Sequence, residues 1–168
     1  VNDVISGAYV CSVFEGCSSV KKIEFEEGIS KIPKSLFKRC EWLKSISIPD
    51  SVTSIESKAF YECGALETIC FENSDNINTI SDEAFRGTAI TEINIPSTAY
   101  FGNYVFADCS NLDTAYLPKT WIRLMQGTFY NCKELKTVVL PEKLQELRQE
   151  AFRGCVNLQA IDFPDTLC

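Results

Sequence analysis

The chain has 168 residues, of which 45% are hydrophobic and 23% are charged, and its formal net charge of −7 is spread along its length without a basic cluster. Binding to nucleic acid or to an anionic membrane surface needs clustered Lys and Arg, so neither is predicted. Histidine is absent, which rules out Ser-His and Cys-His catalytic pairs. No apolar run in the sequence is long enough to span a bilayer.

One phenylalanine recurs along the chain at nearly constant spacing. Its members are separated by steps of 23, 23, 25, 21, 23 and 23 residues. They are Phe14, Phe37, Phe60, Phe85, Phe106, Phe129 and Phe152, and a cysteine follows most of them three residues later, at Cys17, Cys40, Cys63, Cys109, Cys132 and Cys155. Self-similarity at this period predicts a stacked repeat array with no single central core. Such arrays usually offer a long binding surface and seldom an active site.

The repeat that begins at Phe37 shows the predicted elements in chain order. The Ile46-Ser47-Ile48 triplet predicts a short strand whose isoleucines face inward, and Pro49 ends it because proline donates no backbone hydrogen bond. A second apolar cluster forms an opposite wall of short strands, turns or single helical turns, and consists of Val52, Ile55, Ala59 and Phe60. Like strands one repeat apart run in the same direction, so they are expected to form one parallel sheet.

Two repeats differ in length. The longer one carries extra polar residues in Glu72–Asn76, and the shorter one has Gly87-Thr88 at its turn and lacks a residue after Pro96. Loop closure entropy changes slowly with length, so these changes are expected to leave the stack intact.

The nine cysteines allow three interpretations. Metal binding is disfavoured, since no two cysteines lie three apart and histidine is missing. Disulfides between neighbouring rungs are disfavoured because in-register side chains point the same way, which leaves their Cβ atoms too far apart. The favoured interpretation is a column of buried thiols that act as small hydrophobic residues. Cys11, Cys70 and Cys168 lie off the column; Cys70 should point outward, as a functional thiol or, more simply, as a chance exposed cysteine.

The segments Cys40–Phe60 and Cys132–Phe152, with the stretch Ala84-Phe85-Arg86-Gly87-Thr88, resemble the BspA-like or Treponema pallidum-type class of leucine-rich repeats. The class has a unit of about 23 residues of the form Cys-x-x-Leu-x-x-Ile-x-Leu-Pro, Val-x-x-Ile, Ala-Phe. The resemblance implies a leucine-rich repeat solenoid of about seven repeats: a parallel β-sheet lies on one face, and short strands, turns or single helical turns on the other. It brings no catalytic residue, cofactor or metal site. We expect residues 1–168 to form one domain, a fragment of a longer array.

The outward residues of the strands are the predicted partner-binding surface, since they vary between repeats while the inward residues keep one chemistry. One outward column is Lys22, Ser45, Thr68, Glu92, Thr114, Thr137 and Ala160, and the other is Glu24, Ser47, Cys70, Asn94, Tyr116, Val139 and Asp162. A plain solvated sheet explains these residues equally well, because Ser and Thr are ordinary on strands.

Three outward residues are individually notable. Tyr116 and Val139 are predicted on adjacent rungs, where an aromatic beside an aliphatic side chain can anchor a partner or simply fill a strand. Trp42 is predicted at a rim corner whose counterparts are small or polar, where it binds a partner or covers the repeat edge. Trp121 takes a core position.

The sequence therefore predicts no enzyme, but an adhesin-like module of a surface protein that binds another protein through its strand face. The resemblance implies a location at the cell surface or outside the cell, with the cytoplasm left open, and a partner that is a host matrix or cell-surface protein. The alternative is a structural segment that associates with further copies of itself.

Overall fold

The computed structural model describes residues 3–5, 14–18, 23–25, 28–72, 74–97, 100–159 and 161–167. Within these residues the backbone repeats one unit: a strand of three or four residues, a corner, a two-residue strand in most cases, and turns around the recurring phenylalanine. The longer strands are β1 (Asp3–Ile5), β2 (Ile23–Phe25), β4 (Ser45–Ile48), β6 (Thr68–Phe71), β8 (Glu92–Asn94), β10 (Thr114–Tyr116) and β12 (Thr137–Val139). The short strands are β3 (Lys31–Ile32), β5 (Ser54–Ile55), β7 (Thr79–Ile80), β9 (Tyr100–Phe101), β11 (Arg123–Leu124) and β13 (Glu146–Leu147), and one 3-10 turn covers Ser74–Asn76.

The longer strands pair in parallel, but the prediction of one continuous sheet is wrong for the described residues. The sheet falls into three sections, β1–β2, β4–β6 and β8–β10–β12. The break between β6 and β8 coincides with the extra residues 72–76, which lengthen the path out of β6. Ile69 and Phe71 of β6 are only half-buried as a result, whereas Ile46 and Ile48 of β4 are buried.

Both ends of the array also differ from the sequence prediction. The strand β1 was not expected, and it pairs with β2 through Asp3 opposite Ile23. At the other end, the strand expected after β12 is not found in the described residues, Gln159 and 161–167.

The opposite wall consists of short strands and turns, as predicted. One section joins β3, β5, β7 and β9, and the other joins β11 and β13. Ile55 lies opposite Ile32 on one side and Ile80 on the other, so like residues lie on like residues. The wall is interrupted between β9 and β11, next to the repeat that is shortened after Pro96.

The phenylalanine column runs through every described repeat. Successive rings stack with centroids 5.3 to 6.2 Å apart, and the five interior rings from Phe37 to Phe129 are fully buried. The backbone N–H of each phenylalanine from Phe14 to Phe129 also donates to a carbonyl one repeat later, as in Phe60 to Ala84 at 2.8 Å and Phe85 to Val105 at 3.0 Å. Length changes at the corners therefore leave this column intact, as expected.

Two residues with left-handed backbone conformation flank the phenylalanine in several repeats. Around Phe60 these are Lys58, with φ 60°, and Glu62, with φ 56°. Their N–H groups donate to the next repeat, at 3.1 Å from Lys58 to the Asp82 carbonyl and 2.7 Å from Glu62 to the Arg86 carbonyl. A non-glycine residue in this region costs roughly 1–2 kcal/mol, and the inter-repeat hydrogen bonds offset that cost.

The cysteine column does more than fill space. Cys40, Cys63, Cys109 and Cys132 are buried, and the seven cysteines whose side chains are described carry free thiols. Each buried thiol donates to the carbonyl of a phenylalanine in the preceding repeat, for example Cys63 to Phe37 at 2.9 Å and Cys132 to Phe106 at 3.1 Å. The same carbonyl also accepts a backbone N–H, as from Cys40 to the Phe37 carbonyl at 3.0 Å, so the thiol is a second donor. The prediction of purely hydrophobic thiols is therefore incomplete.

The thiol column makes the stability of the fold sensitive to alkaline pH. Burial raises the pKa of Cys40 and of Cys109 from 9.0 to about 11 and raises that of Cys63 still further. Between pH 9 and 11 the unfolded chain loses these protons while the folded chain retains them, so the free energy of unfolding should fall as the pH rises. Well below pH 9 the thiols should contribute no slope, because they are protonated in both states.

Urea unfolding at pH 8 and pH 10 checks this prediction. The expected fall in midpoint should shrink in Cys63→Ala, which removes one buried thiol, and should persist in the control Cys70→Ser, whose side chain is exposed. A pH slope that is equal in all three proteins would show that the buried thiols do not cause it.

Candidate protein-binding surface

The two outward columns of the strands are aligned by the strand register. In the section β4–β6, Ser45 lies opposite Thr68, and Ser47 lies opposite Cys70. In the section β8–β10–β12, Thr114 lies between Glu92 and Thr137, and Tyr116 lies between Asn94 and Val139. We call this outward side of β2, β4, β6, β8, β10 and β12 the strand face.

Most predicted site residues are exposed on the strand face or its rim. The exposed members are Ser45, Ser47, Thr68, Cys70, Glu92, Asn94, Tyr116, Thr137, Val139, Asp162 and Trp42. Thr114 is half-buried and donates its hydroxyl to Asp113 Oδ1 at 2.9 Å. Lys22 and Ala160 lie outside the described residues, as does the side chain of Glu24. Asp162 does not belong to a strand, so no strand pairing defines its position relative to Val139.

Tyr116 and Val139 are the exposed large hydrophobic residues on the described strands of the strand face. Their side chains are 43% and 56% exposed, and their strands are paired, so their rungs are about 4.8 Å apart. The Tyr116 hydroxyl has no hydrogen-bond partner among the described residues. An exposed aromatic ring with a free hydroxyl, beside a branched aliphatic side chain, can contribute both apolar contact and a hydrogen bond.

Trp42 lies apart from this pair. It lies in the turn with Glu41 and is 52% exposed, in the repeat that carries β4. The strand face is interrupted between β6 and β8, so Trp42 and the pair formed by Tyr116 and Val139 belong to different sections of the sheet.

The charges of the strand face are only partly neutralised within the protein. Lys136 forms an ion pair with Asp113, and its hydrogen bond lowers the pKa of that carboxyl. Glu72 accepts a hydrogen bond from Ser47 at 3.0 Å. Glu92 and Asp162 have neither an ion pair nor a hydrogen bond to their carboxylates among the described residues.

Two further exposed apolar residues were missed by sequence reasoning. Tyr100, 66% exposed, and Ile122, 45% exposed, lie on the opposite wall. The signal was available, because Tyr100 occupies the outward position held by Lys31, Ser54 and Thr79 in the three preceding short strands.

An open cavity of about 600 Å³ lies at a corner of the array, and its lining includes Asp50, Ser51 and Glu72. The Ser51 hydroxyl is buried there without a hydrogen-bond partner among the described residues. No group of three possible metal ligands occurs in the described part of the chain. Two carboxylates alone do not define a catalytic site, because general acid–base chemistry needs their pKa values to differ.

Among the residues that the structure describes, no helix has the length and apolar character needed to cross a bilayer.

Solved structures place the architecture among bacterial leucine-rich repeat proteins. A leucine-rich repeat protein from Bacteroides ovatus is 30% identical, with a TM-score of 0.92 over 99% of this chain and 46% of that one. The T. pallidum leucine-rich repeat protein is 29% identical, with a TM-score of 0.74 over 83% of this chain and 66% of that one. A leucine-rich repeat protein from Eubacterium ventriosum, 18% identical, shares the fold at a TM-score of 0.70, over 99% of this chain and 55% of that one.

The chain spans less than half the length of the B. ovatus protein. No functionally curated protein shows significant similarity to it. The family described as BspA type Leucine rich repeat region matches residues 10–113 and 99–168, in six copies. With this match, the stacked phenylalanines and the parallel strands, the chain belongs to the BspA-type leucine-rich repeat family.

Proposed function

We propose that the protein is an adhesin-like binding module that recognises another protein through its strand face, and that it works at the cell surface or outside the cell. Proteins of this repeat family commonly mediate protein interactions and are commonly surface-associated. The observation that supports the proposal is the contrast between a core that repeats one chemistry and an exposed face that changes at every rung. A face built only for solubility has no need of an exposed Tyr beside an exposed Val.

The section β8–β10–β12 is the best candidate for the contact. It is the longest uninterrupted section of the strand face in the described residues, and it places Tyr116 and Val139 on neighbouring strands. Paired strands hold these side chains rigidly, which lowers the entropy lost on binding. Host matrix or cell-surface proteins are the proposed partners.

Replacing Tyr116 and Val139 with glutamate should weaken binding to a partner at least about tenfold, because anchor residues contribute about 2 kcal/mol or more. The fold should survive, since both side chains are exposed. Immobilised extracellular matrix proteins provide the test panel, with affinities measured by surface plasmon resonance and folding checked by circular dichroism.

The opposite wall supplies a matched control. Tyr100→Glu with Ile122→Glu makes the same chemical changes at one exposed aromatic and one exposed aliphatic residue. This variant should bind as the parent does. An equal loss of affinity in both double variants, or a loss only in the control, would contradict binding through the strand face.

Self-association is the second candidate function. It is supported by the exposed apolar side chains of the last described repeat, where Val156 is 77% and Phe163 is 55% exposed. A sedimentation coefficient that rises with protein concentration, together with no binding to the panel, would favour it over the adhesin-like role. A monomer at every concentration would leave it without support.

A further inference from the structure

The side of the array formed by the phenylalanine turns carries a contact that joins three repeats. The Tyr104 hydroxyl donates to Glu150 Oε2 at 2.7 Å, across 46 residues and therefore across two repeats. A neighbouring ion pair on this side, between Lys58 and Glu83 at 3.2 Å, reaches one repeat only. We propose that Tyr104 is a strap that couples the turns containing Tyr104, Gly127 and Glu150, so that they open and close as one unit.

The strap depends on a glycine in the repeat between its two ends. Tyr104, Gly127 and Glu150 occupy the same position of successive repeats, 23 residues apart and two residues before the phenylalanine. A Cβ atom built on Gly127 would lie 2.2 Å from Cδ1 and Cε1 of the Tyr104 ring. The ring therefore fills the space that a side chain at residue 127 would need, and its hydroxyl can reach the repeat beyond.

Three further contacts hold the Tyr104 side chain in place. Gln126 Nε2 donates to its hydroxyl at 3.1 Å, and the Arg86 guanidinium lies over its ring at 5.9 Å. The Tyr130 ring packs against it in a T-shaped arrangement, with 6.1 Å between the centroids. A side chain that is already ordered loses less conformational entropy when it forms a hydrogen bond, so this hydroxyl is well placed to join the repeats.

The acceptor at the other end of the strap is also held in position. Arg153 donates to Glu150 Oε1 at 2.6 Å, while Tyr104 donates to Oε2. The hydrogen bond from Tyr104, followed by the one from Arg153, lowers the pKa of the Glu150 carboxyl. The carboxylate is therefore ionised at neutral pH, and a hydrogen bond to an ionised acceptor is stronger than one between neutral groups.

The strap crosses the place where the wall of short strands is interrupted. Tyr104 follows β9, Gly127 follows β11 and Glu150 follows β13, and β11 pairs with β13 but not with β9. The described residues after β13 form no strand. The end of a repeat array normally opens one repeat at a time, because each repeat contacts only its neighbours. Opening either of the two interfaces here would break the bond to Glu150, so the strap stabilises both and couples them.

Hydrogen exchange of single amides, followed by NMR, tests the coupling. The first interface is reported by the N–H groups of Phe106 and Asp108, and the second by those of Gly127, Phe129 and Asn131, since each donates to the next turn. Tyr104→Phe removes the hydroxyl and keeps the ring. It should lower the protection of both sets of amides about two- to tenfold, the range for loss of one hydrogen bond.

Glu150→Ala tests the strap from its other end. It should lower the protection of the Phe106 and Asp108 amides, two repeats away, by the same factor as Tyr104→Phe. The double variant should lose no more protection at these amides than Tyr104→Phe alone, because both changes remove one interaction. The control is Tyr130→Phe, since the Tyr130 hydroxyl has no hydrogen bond among the described residues, and protection should change less than about twofold.

Four results would overturn the strap. The first is unchanged protection in Tyr104→Phe. The second is a loss in Glu150→Ala that is confined to the Gly127, Phe129 and Asn131 amides, which would mean that Glu150 stabilises only its own interface. The third is a double variant in which the two losses multiply. The fourth is an equal loss at the Phe60 N–H or in Tyr130→Phe, which would show general destabilisation in place of a coupled unit.

Discussion

Phe85→Ala is expected to lower the free energy of unfolding by about 3–5 kcal/mol, the range for truncating a fully buried phenylalanine. The Phe85 ring is 0% exposed and stacks between Phe60 at 5.3 Å and Phe106 at 5.6 Å. In a repeat array, stability is close to a sum over repeats and their nearest-neighbour interfaces. Removing an interior ring weakens two interfaces at once, so the loss should fall at the upper end of this range.

Chemical denaturation followed by circular dichroism measures this loss, and Phe152→Ala is the matched control. The Phe152 ring is half-buried and stacks on Phe129 alone, at 5.8 Å. Its truncation should cost less than half as much. Equal costs at Phe85 and Phe152 would mean that the rings do not stabilise the array as a column.

Gly102→Ala is expected to destabilise the fold by about 2–4 kcal/mol, at or above the usual range for overpacking because backbone must move. Gly102 is buried after β9, and a Cβ atom built on it would lie 2.4 Å from the Asp82 nitrogen and 2.5 Å from Asp82 Oδ1. Asn103 N–H donates to that same carboxylate oxygen at 2.7 Å. The methyl group would therefore separate two adjacent repeats and break the hydrogen bond beside it.

Gly64→Ala provides the control for Gly102→Ala. Gly64 is exposed, a Cβ atom there would meet nothing within 4 Å, and its φ is not positive. The substitution should change stability by less than about 1 kcal/mol, in the stabilising direction, because it restricts the unfolded chain. Thermal melts of the two variants give the comparison, and a Gly102→Ala protein as stable as Gly64→Ala would show that the repeats are not packed this closely.

Most of the fold could be predicted from the repeat period of the sequence. A residue that recurs every 23 positions, such as Phe37 and Phe60, must meet its own copy if the turns stack, and the structure confirms this for the rings and for the inward isoleucines. The alternation in Ile46-Ser47-Ile48 likewise fixed which side chains face outward. These features depend on patterns of side-chain polarity, which a single sequence displays directly.

Other features depend on backbone geometry that residue type does not report. Lys58 and Tyr104 adopt left-handed φ values of 60° and 54°, yet neither residue type favours that region. The break between β6 and β8 coincides with an insertion. The length of the insertion can be read from the sequence, but its effect on strand pairing cannot. The thiol of Cys63 was predicted to be buried, but its carbonyl acceptor lies in another repeat and could be found only from coordinates.

The sequence was enough to predict where the candidate surface lies, but not which of its side chains pair with each other. Tyr116, Val139 and Trp42 are exposed where the repeat pattern placed them. The pairing of Lys136 with Asp113, and the absence of a described partner for Glu92, depend on side-chain conformation across neighbouring strands. The binding role of these residues stays a prediction.

The most direct test of the stacked array is an NMR measurement of couplings transmitted through hydrogen bonds between repeats. A coupling from the Phe60 nitrogen to the Ala84 carbonyl carbon, and from Phe85 to Val105, is expected because these N–H groups donate at 2.8 and 3.0 Å. Couplings from the same nitrogens to carbonyls within their own repeat, as in a helix, with none to the following repeat, would contradict the stack on which the strand face and its proposed function depend.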